Sequence, residues 1–287
     1  MTTIKFLGAA QEVTGALYLI KTKETQFLVD CGLIQGGAFA EKRNYDKFPF
    51  ESSEIDFVII TNAHIDHTGR LPKLVKEGFR GPIYATKGTA DLMKLMLVDS
   101  QGLLEEEAKK LKLEPLYSEE DVTRTLNLLR PHEYEQKFKP NDGIEVQFQD
   151  AGHILGSSII EIWLAKSKGG QIKVVFSGDV GNAPTPLLRA PATIKEADYL
   201  IVESTYGDRE HEAVKKRQDI LEDVIEETVA KKGVLMIPSF AVERTQVLLS
   251  ELDELVEHGR IPRVPVFLDS PLAIKATDVY LEHKDYF

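Results

Sequence analysis

The sequence predicts an α/β fold in which two β-sheets pack face to face with helices outside, followed by a smaller segment of alternating strands and helices. Three observations carry this. Short runs that are apolar throughout, or that alternate apolar with polar, recur at strand length from Ile4 to Phe176. From about Tyr199 the rhythm changes to strand, helix, strand, helix, which implies a parallel α/β unit. Between them, the apolar run Phe57-Val58-Ile59-Ile60 reads as a buried strand leading into a loop dense in histidine and aspartate.

The elements follow in order. Ile4-Lys5-Phe6-Leu7 and Gln26-Phe27-Leu28-Val29 flank an apolar run at 16–20, predicting a meander of strands around a loop at Gly8 and Gly15 that approaches the histidine loop. Residues 70–77 predict a short helix and 82–85 a strand. Residues 89–112 predict a long helix with Leu92, Met93, Leu95, Met96 and Leu97 along its apolar stripe and Glu105, Glu106 and Glu107 in solvent. Ser118-Glu119-Glu120-Asp121 resembles a capping box opening a helix to Leu129, since the serine oxygen accepts an orphan amide and the acids favour the positive helix end. Strands follow at 144–148, 159–164 and 173–176. Beyond Tyr199 the pattern gives strands at 199–202, 234–237 and 266–268, and helices at 209–232, at 243–258 and from Pro271 to the end.

Composition narrows the function classes. A 287-residue chain that is 43% hydrophobic and 28% charged is globular, with room for one large domain or two smaller ones. The single cysteine, Cys31, excludes an internal disulfide framework, and beside Asp30 at a strand end it reads as a small buried residue in a reducing, cytoplasmic setting. No apolar run reaches membrane-spanning length and no signal peptide is visible. A formal charge of −11 argues against broad electrostatic capture of nucleic acid, so any polyanion must be received by a local basic groove or by bound cations.

The stretch Thr61-Asn62-Ala63-His64-Ile65-Asp66-His67-Thr68-Gly69 is the main chemical signal. Imidazole and carboxylate are the ligands zinc takes when thiolates are absent, and His64, Asp66 and His67 lie within four residues at a strand's C-terminal end. His153 alone reads equally as a hydrogen-bonded core residue or a ligand. His132, His258 and His283 read as surface residues, and His211 as part of a solvated helix start. Ser239 and Arg244, and again Ser270 after Asp269, open helices where backbone amides and a guanidinium can hold a phosphate; capping alone also explains the serines.

These segments together resemble the metallo-β-lactamase superfamily. The histidine loop is similar to that family's H-x-H-x-D-H signature, with Asn62 at the first histidine position, and Asp30-Cys31-Gly32, Gly152-His153 and Ser177-Gly178-Asp179 fall in the family's order. Glu203-Ser204-Thr205-Tyr206-Gly207-Asp208 resembles the first motif of the β-CASP branch, which processes nucleic acids. Phe6 to Gly15 and Pro238 to Gln246 resemble bacterial and archaeal ribonucleases of that branch.

The resemblance implies an αββα sandwich over residues 1–203 and the N-terminal part of a β-CASP domain over 204–287. It implies one zinc held by position 62, His64 and His153, and another by Asp66, His67 and a later histidine with no counterpart in these residues, with Asp179 bridging. Asp66 would also orient the attacking water, and Glu203 would help handle the leaving group's proton. The implied activity is zinc-dependent hydrolysis of phosphodiester bonds in single-stranded RNA. A noncatalytic RNA-binding or scaffold role and small-molecule metallohydrolysis are the alternatives. A neutral amide is a weaker zinc ligand than imidazole, so Asn62 implies reduced occupancy and leaves three readings open: an introduced inactivating change, a naturally inactive relative, or a preference for harder ions. Family members continue beyond a point equivalent to Phe287 to complete their first domain. The chain therefore reads as a fragment or truncated relative, expected to need a C-terminal piece or another copy against its exposed sheet edge.

Overall fold

The computed structural model describes residues 2–166, 169–182, 185–209 and 214–287. Two sheets face each other. The first has six strands in the order β1 (Thr3–Gly8), β2 (Leu17–Lys21), β3 (Gln26–Val29), β4 (Phe57–Ile59), β5 (Ile83–Thr86) and β6 (Leu129–His132), antiparallel through β3 and parallel from there on. The second contains β7 (Phe138–Asn141), β8 (Ile144–Asp150), β9 (Ser158–Ala165) and β10 (Gln171–Phe176) as an antiparallel meander. Its last strand, β11 (Tyr199–Ile201), lies parallel to β10.

Strand periodicity divides the core into two layers. Phe27, Val29, Phe57 and Ile59 point between the sheets, where they meet Val146, Phe148, Ile160, Ile162, Val174 and Phe176. Their neighbours Leu28, Val58 and Ile60 point the other way, because successive side chains alternate faces, and pack under the helices. The helices are α1 (Ala38–Glu41), α2 (Ile65–Thr68), α3 (Leu71–Lys76), α4 (Lys87–Leu111), α5 (Glu119–Asn127), α6 (Val214–Ala230), α7 (Arg244–Glu257) and α8 (Pro271–Glu282). Leu92, Met93 and Leu97 of α4 and Leu71 and Leu74 of α3 are buried in that outer layer. The expected capping box is present: Ser118 Oγ accepts from Asp121 N, and Asp121 Oδ2 accepts from Ser118 N at 2.9 Å. Among the described residues no helix is long and apolar enough to cross a membrane.

The second segment departs from the sequence expectation. At residues 234–237 and 266–268 the described residues contain no strand. A strand needs a neighbour to take its N–H and C=O groups. The strand nearest in sequence, β11, is committed instead to β10, with Val174 opposite Tyr199. Val234, Met236 and Phe267 are left 88%, 85% and 87% exposed. The last helix also ends earlier than expected, at Glu282, with a single 3-10 turn at Lys284–Tyr286 after it. His211 lies outside the described residues.

Candidate metal centre

The site is built where β4 ends. The segments around residue 16 and residues 31–33 grip the histidine loop by its backbone: Ala16 N donates to Asp66 O, Cys31 N to His67 O, and Leu33 N to Ile65 O, all at 2.8–2.9 Å. The approach is so close that a Cβ on Gly32 would fall 1.5 Å from Asp66 O, which only glycine avoids. Cys31 is fully buried there and burial pushes its thiol up to about 12, in agreement with a packing role.

Asp30 sits at the end of β3 with a positive φ of 57°, a strained backbone for a residue with a side chain. Its buried carboxylate accepts from Thr61 N, Thr61 Oγ1 and His67 Nδ1, each at 2.8 Å. This fixes the His67 ring with Nδ1 protonated and Nε2 free to face the cleft. His67 Nε2 lies 3.2 Å from Asp179 Oδ1 and 3.8 Å from Asp66 Oδ2.

Asp179 turns its other oxygen the opposite way. Oδ2 is 3.3 Å from His153 Nε2 and 3.8 Å from His64 Nδ1, and those two nitrogens are 3.2 Å apart. Among the described residues, His64, His153 and Asp179 form the one group of three such side chains whose ligand atoms all lie within 4.8 Å of one another. Ligand atoms around a tetrahedral ion with bonds of about 2.0–2.1 Å are themselves about 3.3 Å apart, so this triangle fits a single zinc-sized ion. The glycine-bearing loop lines the cleft as expected, through Ala9, Gln11 and Val13.

Charge points the same way. Burial opposes a charge on His67, but Asp30 and Asp179 outweigh it and hold the imidazole well above the usual histidine range. Burial would raise the Asp179 carboxyl; the charge of His67 and hydrogen bonds from His153, His64 and His67 win and hold it well below the carboxylate range. Burial, then the charges of Asp30 and Asp179, push the Tyr18 hydroxyl up to about 12. Among the described residues, the adjoining cleft of about 300 Å³ is lined by Asp30, Asp179 and Glu203, by Glu12, which Arg43 pairs from outside the lining, and by no lysine or arginine. Such a cavity attracts a cation.

Asn62 is buried at 1% exposure, and its Oδ1 accepts from His64 N at 2.9 Å. Its oxygen thus shapes the loop that carries the neighbouring histidine, as asparagine does in turns. Glu203 reaches the cleft from the end of β11, where its carboxylate accepts from Val180 N and Thr205 N, each at 3.2 Å.

Ser239, Arg244 and Ser270 are absent from the cleft lining. Ser270 Oγ caps α8 by accepting from Ala273 N, Ser239 Oγ reaches only Phe240 O, and the Arg244 side chain is exposed at the start of α7. Two histidines read as surface residues are not: His283 is buried and 2.8 Å from Asp91 Oδ2, and His132 is half-buried and stacked on Phe138 at 3.8 Å. Asp91, 192 residues away, supplies the environment of His283, and Phe138 of the next strand that of His132. Glu243, half-buried at a positive φ of 67° and bonded to Tyr280, was not singled out by sequence; a glutamate between Val242 and Arg244 at a helix start gives no signal of that environment.

Two facing sheets that carry a histidine–aspartate cluster at their strand ends define an αββα class with a candidate metal centre. The chain belongs to the β-CASP branch of the metallo-β-lactamase superfamily: the model for the beta-lactamase superfamily domain matches residues 25–236, and that for the Beta-Casp domain matches residues 245–287. It is 40% identical over 281 residues to Ribonuclease TTHA0252 of Thermus thermophilus, covering 98% of this chain and 61% of the relative. It is 36% identical over 286 residues to the transcription termination factor FttA of Methanosarcina mazei, covering 98% of this chain and 43% of the relative. An RNase J-like protein of Methanocaldococcus jannaschii is 30% identical over 289 residues, with 99% of this chain and 62% of the relative covered. The chain thus spans about two fifths to three fifths of the length of these relatives. A solved structure of a protein of unknown function from Enterococcus faecalis shares the fold, with a TM-score of 0.53 and 14% identity over 98% of this chain and 67% of the other.

Proposed function

We propose that this chain is the metal-binding part of a metal-dependent ribonuclease that hydrolyses phosphodiester bonds in single-stranded RNA. The observation that carries the reading is the cleft itself. A histidine–aspartate cluster with the spacing of an ion's ligands shares Asp179 with a cavity that, among the described residues, is lined by carboxylates and by no lysine or arginine. An RNA phosphate is repelled by such a cavity unless a cation is in it. The similarity to Ribonuclease TTHA0252 and to an RNase J-like protein supports the substrate class.

His64, His153 and Asp179 would hold one divalent ion, and Asp66, His67 and Asp179 are the donors for a second. Zinc is the ion this donor chemistry favours, and a bound ion would supply Lewis acidity toward the phosphodiester and acidify water. The chain's own residues supply orientation. Asp30 and Thr61 fix the His67 ring, Asp66 orients the attacking water, and Glu203, tied to Val180 N and Thr205 N, handles the proton of the leaving oxygen. With Asn62 Oδ1 engaged by His64 N, the first half-site has three strong donors, so fewer than two tightly bound zinc ions per chain are expected. Residues 1–203 form the metal-site domain in this reading and 204–287 the start of the second, where Ser239, Arg244 and Ser270 would contact RNA phosphates. Exposed Val234, Met236 and Phe267 would pair with a further segment or another copy, and the buried thiol of Cys31 suits a reducing cytoplasm.

Elemental analysis together with cleavage of a labelled single-stranded RNA tests this. Cleavage should require the metal, stop with chelator and be lost in Asp179→Ala. Asn62 favours a second reading, a noncatalytic RNA-binding relative. A folded, metal-loaded protein that binds RNA and leaves it intact would establish that reading and reject the first.

A further inference from the structure

The loop carrying His153 is held from two directions. Within its own sandwich, Gly156 O accepts from Thr86 Oγ1 at 2.5 Å and Thr89 Oγ1 at 2.7 Å, and Ser157 Oγ accepts from the amides of His153 and Ile154 at 3.0 and 3.2 Å. The amide of Leu155 has a different kind of partner. It donates to Tyr280 Oη of α8 at 3.2 Å, 125 residues away, and that hydroxyl donates in turn to Glu243 Oε2 at 2.6 Å.

Both residues are committed to this contact. Tyr280 is 3% exposed and shares a core cluster with Ile154, Leu155, Val242 and Ala276. Glu243 adopts its strained φ of 67° at the foot of α7, a conformation that persists only where the surroundings enforce it. Burial pushes its carboxyl up to about 7, against the Tyr280 hydrogen bond and the nearby His153. The far end of α8 is pinned as well, through His283 to Asp91 at 2.8 Å and through Asp285 O, which accepts from Arg189 Nη2 at 2.6 Å.

We propose that Tyr280, oriented by Glu243, is a positioning residue for the metal ligand His153, so that α8 of the second segment clamps the 152–157 loop in its ligating conformation. The inference rests on the metal-site reading above. Coupling is reciprocal: an ion that needs His153 in place tightens α8, and a loosened α8 weakens the ion. Ligand-supporting hydrogen bonds of this kind change metal affinity by about tenfold or more when removed.

The test compares wild type, Tyr280→Phe and Thr277→Val. Thr277 Oγ1 joins α8 to α7 through Gln246 Nε2 at 2.9 Å and does not touch the loop, so Thr277→Val loosens α8 packing without cutting the tether. Cobalt affinity is read by titration, and hydrogen exchange of the Leu155 amide is read in the metal-free protein. Tyr280→Phe should bind cobalt about tenfold more weakly and exchange Leu155 faster, while Thr277→Val does neither. A folded Tyr280→Phe with wild-type exchange and affinity overturns the proposal, as does a Thr277→Val that reproduces both effects. If wild type takes up no cobalt, the metal reading fails by itself and the exchange comparison still decides the tether.

Discussion

Asp30→Asn isolates the support beneath the metal centre. The carboxylate is 1% exposed and accepts three hydrogen bonds of 2.8 Å, two from Thr61 and one from His67 Nδ1. An asparagine of the same shape has one accepting oxygen, and its NH₂ must face donors. At least one buried donor then loses its acceptor, which costs about 1–3 kcal/mol of folding stability. The His67 ring also loses the anion that fixes its protonated Nδ1, and metal affinity should fall about 10- to 100-fold. Zinc competition against a chromophoric chelator measures the second effect, and urea unfolding of the metal-free protein the first. A folded Asp30→Asn that is destabilised by less than about 0.5 kcal/mol and binds zinc like wild type would refute the role given to this carboxylate.

Three further outcomes are expected. Asn62→His should raise metal affinity by adding an imidazole, while losing the bond to His64 N at a cost of about 1 kcal/mol; unchanged affinity would mean that position 62 cannot reach the ion. Gly32→Ala should abolish metal binding and lower the thermal midpoint, since its Cβ meets Asp66 O at 1.5 Å, and a variant with wild-type melting and metal content would contradict that packing. The third outcome concerns pH. The raised His67 group stabilises the metal-free protein fully below about pH 6.5 and loses that effect as pH climbs through its folded value, whereas the lowered Asp179 group stabilises above about pH 4 and fails on acidification. The metal-free midpoint should therefore fall as pH rises above neutrality, and a midpoint that rises across that range would reverse the assignment.

Much of the first two hundred residues was legible because local signals and tertiary outcome agree. The run Phe57 to Ile60 is buried on both faces and reads as a strand; α4 and α5 announce themselves by periodicity and by the Ser118 box. The cluster of His64, Asp66 and His67 is local, so its chemistry is visible in the sequence. What the sequence does not carry is partnership across the chain. Residues 234–237 have strand-like composition but no paired neighbour among the described residues, while β6 and β7 form at Leu129–His132 and Phe138–Asn141 without a clear periodic signal because neighbouring strands supply the ladder. His283 and Glu243 were unreadable for the same reason. Asp91 and Tyr280, which define their surroundings, lie 192 and 37 residues away.

That separation has a consequence for how the molecule comes into being. His64 and His153 are 89 residues apart, and Asp179 arrives from the end of a strand in the opposite sheet. Bringing them together requires the non-local pairings of the sandwich to be formed first, the slow kind of contact in chain folding. A zinc finger can be nucleated by its ion because its ligands are near neighbours. Here the local donors His64, Asp66 and His67 are joined by His153 and Asp179 only after the sandwich closes, so tight loading reports that closure.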